Sequence, residues 1–152
     1  MAKKIGMQLP LDLFHILQQG TRCILATFSE QGVPRTTPLY HMYPRGFDSI
    51  LIAIEKDHSS YIDMVWQKKV NLSFLDSGDI SYSVLGRSGV VRAPSFVHPY
   101  MNIMRIDVMD VRNHRSIIAR IDQGISWIYN SLEAQKLSES IIEELKEVAK
   151  VL

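Results

Sequence analysis

A single cysteine among 152 residues leaves the chain without an internal disulfide and without the paired thiolates of a zinc site. Cys23 lies in the apolar run "TRCILATF", where it reads as a small buried hydrophobe and not as a nucleophile. Charge of one sign is equally scarce. Seventeen Lys and Arg face sixteen Asp and Glu, a net charge of +1, so no broad field exists to hold a polyanion and nucleic acid is not an expected partner. Long hydrophobic runs are missing too, since nothing approaches the roughly 20 apolar residues of a membrane span. The start, "MAKKIGMQLPLDLF", has lysines but no signal-length apolar core, and Asp12 breaks up the leucines around it. A cytoplasmic protein with no membrane partner is the expectation. There is no internal repeat, low-complexity segment or linker. No Cys-x-x-Cys-His occurs and no histidine pair has i, i+4 spacing, so a metal site at His41 or His98 is not expected. No Ser-His-Asp or paired-carboxylate pattern stands out for hydrolysis.

What remains is an ordinary globular composition, 46% apolar and 22% charged, in a length suited to one domain over residues 1–152. "LPLDLFHILQQG" sets Leu9, Leu13, Ile16 and Leu17 on one helical face, and Gly20 stops it. "TRCILATF" reads as a strand closed by the turn "SEQG". "VPRTTPLYHMY" is extended, but Pro34 and Pro38 cannot donate ladder hydrogen bonds, so this strand needs an unpaired side or a bulge. "SILIAIE" is a buried strand. A short helix spans about Ser59 to Gln67, with Tyr61 and Trp66 read as core-packing residues. "VNLSFLD" and "ISYSVLGRSGVVRA" alternate, with Gly86 and Gly89 marking a bulge or a close backbone approach. "YMNIMRIDVMDVRNHR" places Met104, Ile106 and Val108 on one face. "SIIARIDQGISWIYN" looks like a hairpin turned at Asp122-Gln123-Gly124. Ser140 to Glu143 fits a capping box for a terminal helix striped by Ile141, Leu145, Val148 and Leu152. Many short strands around one central helix argue for an antiparallel barrel, mainly β with flanking helices.

Within this order, "LIAIEKDHSSYIDMVWQ" places an acid, an imidazole and two hydroxyls where a strand becomes a helix. Capping of the helix by Asp57 or Ser59 explains these residues as well as an anion seat does. Arg112, His114 and Arg115 form the densest cationic cluster, which a solvated turn explains at least as well as a substrate site.

The sequence "ILATFSEQGVPRTTPLYHMY…ILIAIEKDHSSYIDMVWQKKVNLSFL…SYSVLGRSGVV" resembles the pyridoxamine 5'-phosphate oxidase-like family of FMN-binding split barrels. Ala26-Thr27, Gly32-Val33-Pro34, Pro38-Leu39, Ile52 to Tyr61 and Gly86 carry the likeness, which covers roughly Leu9 to Pro94. The resemblance implies an antiparallel split β-barrel that dimerises, with FMN in a groove between subunits. It implies cofactor contacts at Thr36, Thr37, Pro38, Leu39 and Tyr40, at Ala53 and Ile54, at His58, Ser59 and Ser60, and at Ser81. The flavin ring would lie along the Thr36–Tyr40 strand, and its phosphate near Thr37 and the His58–Ser60 turn. Two departures stand beside these matches. Ser59-Ser60 occupy the place where the family has an Arg-Lys phosphate clamp, with Lys56, His58, Arg22, Arg35 or Arg87 as candidate substitutes. The terminal "EELKEVAKVL" lacks the Arg-x-His that grips substrate phosphate in the oxidase itself. The expected activity is therefore a flavin-dependent oxidoreductase acting on a small organic substrate, distinct from pyridoxamine phosphate oxidation. The alternative is a carrier or sensor that holds flavin or haem on the same barrel without catalysis.

Overall fold

The computed structural model describes residues 2–152. Among them are eight strands and three helices: β1 (Lys3–Gly6), α1 (Leu11–Gln19), β2 (Cys23–Phe28), β3 (Pro34–Leu39), β4 (His41–Arg45), β5 (Ser49–Glu55), α2 (Ser59–Trp66), β6 (Lys69–Asp76), β7 (Ile80–Arg92), β8 (Met101–Asn113) and α3 (Leu132–Val151). The strands join in the order β3-β2-β6-β7-β8-β5-β4, every pair antiparallel, with β1 added to the end of β8. This is a mainly antiparallel sheet curled into a half-barrel with helices at its flanks. The chain passes directly from β3 to β4, the two ends of the sheet order, so one connection spans the split.

The interior follows from alternation. Leu25, Leu72, Phe74, Val84, Ile52 and Ile106 point inward, and Leu13 and Leu17 of α1 close one end. The run "SILIAIE" is buried on both faces, because Ile50, Ile52 and Ile54 join this core while Leu51 and Ala53 face a second one. That second cluster pairs Leu51, Ala53, Met101 and Ile103 with Ile141, Leu145 and Val148 of α3. The helix thus lies on the outer face of β4 and β5, and its apolar stripe reaches Met101 and Ile103 of β8. Pro34 and Pro38 sit on β3, an outer strand of the sheet, where a missing N–H costs no ladder bond. Gly86 stands at a register shift between β7 and β8, and a Cβ there would lie 2.4 Å from Cγ2 of Ile106 and 2.8 Å from the Asp107 carbonyl oxygen. None of the helices among the described residues is long and apolar enough to cross a membrane.

Three expectations need correction. The stretch 116–130 forms no hairpin; its backbone is drawn to the β6–β7 turn, where Ile121 N–H donates to Asp79 Oδ1 at 2.9 Å and Asp79 N–H donates to the Ile121 carbonyl at 3.2 Å. The terminal helix begins at Leu132, well before Ser140, and is capped by Ser131, whose Oγ accepts from Ala134 N–H at 3.0 Å. Trp66 is 62% exposed, since the eight-residue α2 turns Met64 inward and leaves Ile62, Val65 and Trp66 outside. The strand β1, which no alternation marks in the sequence, pairs with β8.

Candidate functional site

The β3–β4 junction borders a cleft of about 660 Å3. Thr37 to His41 form one wall, Ala53 to Glu55 at the end of β5 another, and Asp57-His58 a third. His98, Tyr100 and Met101 close it from the loop before β8, and α3 roofs it with Leu137, Ser138 and Ile141. Seven of the residues singled out by resemblance meet here: Thr37, Pro38, Leu39, Tyr40, Ala53, Ile54 and His58. Leu39, Ala53 and Ile54 are buried walls, while Tyr40 is 53% exposed at the mouth. Thr36, Ser59, Ser60 and Ser81 do not line the cleft. Strand alternation turns Thr36 away from Thr37. Ser59 is exposed in the first turn of α2, Ser60 is buried beneath it, and Ser81 is buried on β7 with its carbonyl accepting from His114 N–H at 2.8 Å.

The helix start has an unexpected cap. His58, and neither Asp57 nor Ser59, occupies the position before α2, and its Nδ1 accepts from Ser60 N–H at 3.1 Å. With Nδ1 engaged as an acceptor, the ring proton of the neutral imidazole sits on Nε2, which lies 3.5 Å from Thr37 Oγ1. His98 repeats the arrangement, its Nδ1 accepting from Tyr100 N–H at 3.2 Å. Both rings therefore keep a donor on Nε2. His41 differs. Its Nε2 pairs with Ser138 Oγ at 2.9 Å, and burial, aided by the Arg22 charge, pushes its pKa down to about 4, so it is neutral at pH 7. The lining carries Glu55 and Asp57 but no lysine or arginine. Of the cations considered as clamp substitutes, Lys56 lies 5.7 Å from the Tyr100 ring, Arg35 pairs with Asp63, and Arg22 stacks on Tyr40 at 4.5 Å. Arg112 pairs with Asp110, Arg115 with Asp12, and His114 with Ser83, which keeps that cluster out of the cleft. No group of three or more metal-ligating side chains converges among the described residues.

The roof is fastened by one buried carboxylate. Glu144 of α3 accepts from Arg92 Nη1 and Phe96 N–H, each at 2.8 Å, and from Ser95 Oγ. Burial works to raise its pKa, yet the Ser95, Arg92 and amide hydrogen bonds together hold it below the ordinary value. Nothing local in the sequence marked Leu137, Ser138 or Ile141 as cleft residues. Their place depends on how an amphipathic helix docks, which periodicity alone does not fix.

A curled antiparallel half-barrel with a cleft at its β3–β4 junction is a split barrel of the pyridoxamine 5'-phosphate oxidase-like kind. The solved structures bear this out at the level of fold. A candidate pyridoxamine 5'-phosphate oxidase from Lactobacillus delbrueckii superposes with a TM-score of 0.63 and 18% identity, over 72% of this chain and 98% of that one. An FAD-binding protein from Mesorhizobium loti gives 0.55 and 14%, over 74% and 96% of the two chains. A haem-binding protein from Mycobacterium smegmatis gives 0.53 and 8%, over 64% and 50%. Proteins of this fold thus include flavin binders and haem binders. No family model matches the sequence, and no curated protein matches it either.

Proposed function

We propose that this chain is an FMN-binding flavoprotein of the cytoplasm that acts as a homodimer, an oxidoreductase on a small organic molecule. The observation that carries the reading is the outer strand β3, whose residues Pro34 to Pro38 are exposed or half-exposed, bordering a cleft of cofactor size. The free backbone groups of β3 suit the polar edge of a flat ring, and Pro38 offers no competing N–H. Leu39, Ala53 and Ile54 supply apolar walls. Thr37 Oγ1 and His58 Nε2–H supply adjacent donors for a phosphate oxygen. The bound flavin would supply the electron-transfer chemistry, and the protein placement, water exclusion and access. A second copy would cover the bare strand β3.

Freshly purified protein should be yellow, with the absorption bands of oxidised flavin. Added FMN whose fluorescence stays unquenched would overturn the reading. Size-exclusion chromatography with light scattering should report a dimer.

A non-catalytic carrier is the second reading, favoured by Glu55 and Asp57 standing where a phosphate clamp would want cations. Rapid mixing with NADH or NADPH separates the two, since bleaching of the flavin marks the enzyme and a flavin that stays oxidised marks the carrier. Haem is the weaker ligand for either, because His58 and His98 spend their Nδ1 lone pairs on backbone amides and keep protons on Nε2.

A further inference from the structure

Beside the cleft, and sharing Tyr40 and Ser138 with it, lies a smaller recess of about 180 Å3. Four aromatic rings border it, those of Tyr40, Tyr43, Trp127 and Tyr129. Two cations reach it, Arg22 and Lys146, and no carboxylate lines it. The Arg22 guanidinium is held 4.5 Å from the Tyr40 ring centroid and 4.0 Å from that of Trp127. Its Nη1 donates to the Tyr40 carbonyl at 3.3 Å, while its Nε is buried without an acceptor. Arg35, Arg92 and Arg115 each reach a carboxylate; Arg22 reaches none among the described residues. A half-buried guanidinium beside two rings gains cation–π attraction but still lacks an anion among the described residues.

We propose that this recess binds a small organic carboxylate with a flat apolar body, held by Arg22 and walled by Tyr40 and Trp127. Two coplanar oxygens match the guanidinium fork, which a spherical or tetrahedral anion does not do as well. The aromatic rings of the lining give a flat body surfaces to stack on. Lys146, paired with Glu143 at 3.1 Å, is the second cation of the lining. The site stands apart from the flavin reading, although an anion there would reach His41, whose titration already senses the Arg22 charge.

The test uses the full chain with whatever cofactor it retains. The protein has two tryptophans, so Trp66→Phe leaves Trp127 as the sole indole. Benzoate titrated into this variant should change Trp127 emission saturably, with a Kd of about 1 mM or tighter. Arg22→Gln should weaken binding at least about tenfold at an unchanged melting temperature. Should Arg22→Gln fail to fold, Lys146→Ala takes its place and should weaken binding about threefold in a folded protein. An NMR titration of His41 should show its midpoint rising when benzoate is present. The proposal is overturned by an emission that never saturates, by a folded Arg22→Gln that binds benzoate unchanged, by an unmoved His41, or by inorganic phosphate binding as tightly as benzoate.

Discussion

His58 serves two elements at once: Nδ1 caps α2 through Ser60 N–H at 3.1 Å, and Nε2 stands 3.5 Å from Thr37 Oγ1 on β3. One imidazole thereby ties the helix start to the strand that borders the cleft. His58→Asn keeps a side-chain acceptor for the cap but does not reach Thr37. It is expected to leave stability nearly unchanged and to weaken FMN binding, whereas His58→Ala should also cost about 1 kcal/mol in urea denaturation. Equal FMN affinity in all three proteins would remove His58 from the site.

Glu144 predicts an acid-sensitive roof. Its folded pKa lies below the unfolded one, so its contribution is complete above the unfolded value of about 4.3 and is lost as pH falls through the lower folded value. Glu144→Ala strands Arg92, Ser95 and the Phe96 amide and should cost about 3 kcal/mol at neutral pH. Denaturation curves for the variant should flatten at acid pH relative to wild type.

His41 acts in a different window. Its folded pKa of about 4 lies below the ordinary 6.5, so the unfolded chain takes up the proton first and stability declines as pH drops from about 6.5 towards 4. His41→Gln should remove that slope in thermal melts while leaving the Glu144 slope in place.

Gly86→Ala is expected to destabilise by about 3 kcal/mol, at the upper end for overpacking, because the added methyl meets both the Ile106 side chain and the fixed Asp107 carbonyl. Chemical denaturation measures it directly. Gly89, with open space at its Cβ position, is the control that should tolerate alanine far better.

Much of the fold was legible because β5 and β6 carry patterns with a single reading: a continuous apolar run for the strand covered twice, strict alternation for the other. The prolines of β3, lacking N–H donors, called for an unpaired side or a bulge, and β3 is an outer strand of the sheet. The stretch from Ser116 to Asn130 misled, since Asp122-Gln123-Gly124 between two apolar segments reads as the turn of a hairpin. Its hydrogen bonds went instead to Asp79, and its Trp127 to the Arg22 guanidinium, partners distant in sequence. The cleft divides in the same way. Thr37 to Tyr40 and His58 belong to a contiguous pattern, whereas His41 and His98 meet through the pairing of β4, β5 and β8, and Ser138 through the docking of α3. His41 and His98 were visible as histidines, but no spacing rule could place them around one space.

A strand that buries almost none of its side chains has little interior of its own. Between Pro34 and Pro38, β3 is kept in place by its ladder to β2 and by little apolar burial. Such a segment opens cheaply, and anything flat that settles against it contributes most of its ordering. Amide exchange in residues 34–39 should therefore slow more than anywhere else in the barrel when the cleft fills, which would make this strand the protein's own gauge of occupancy.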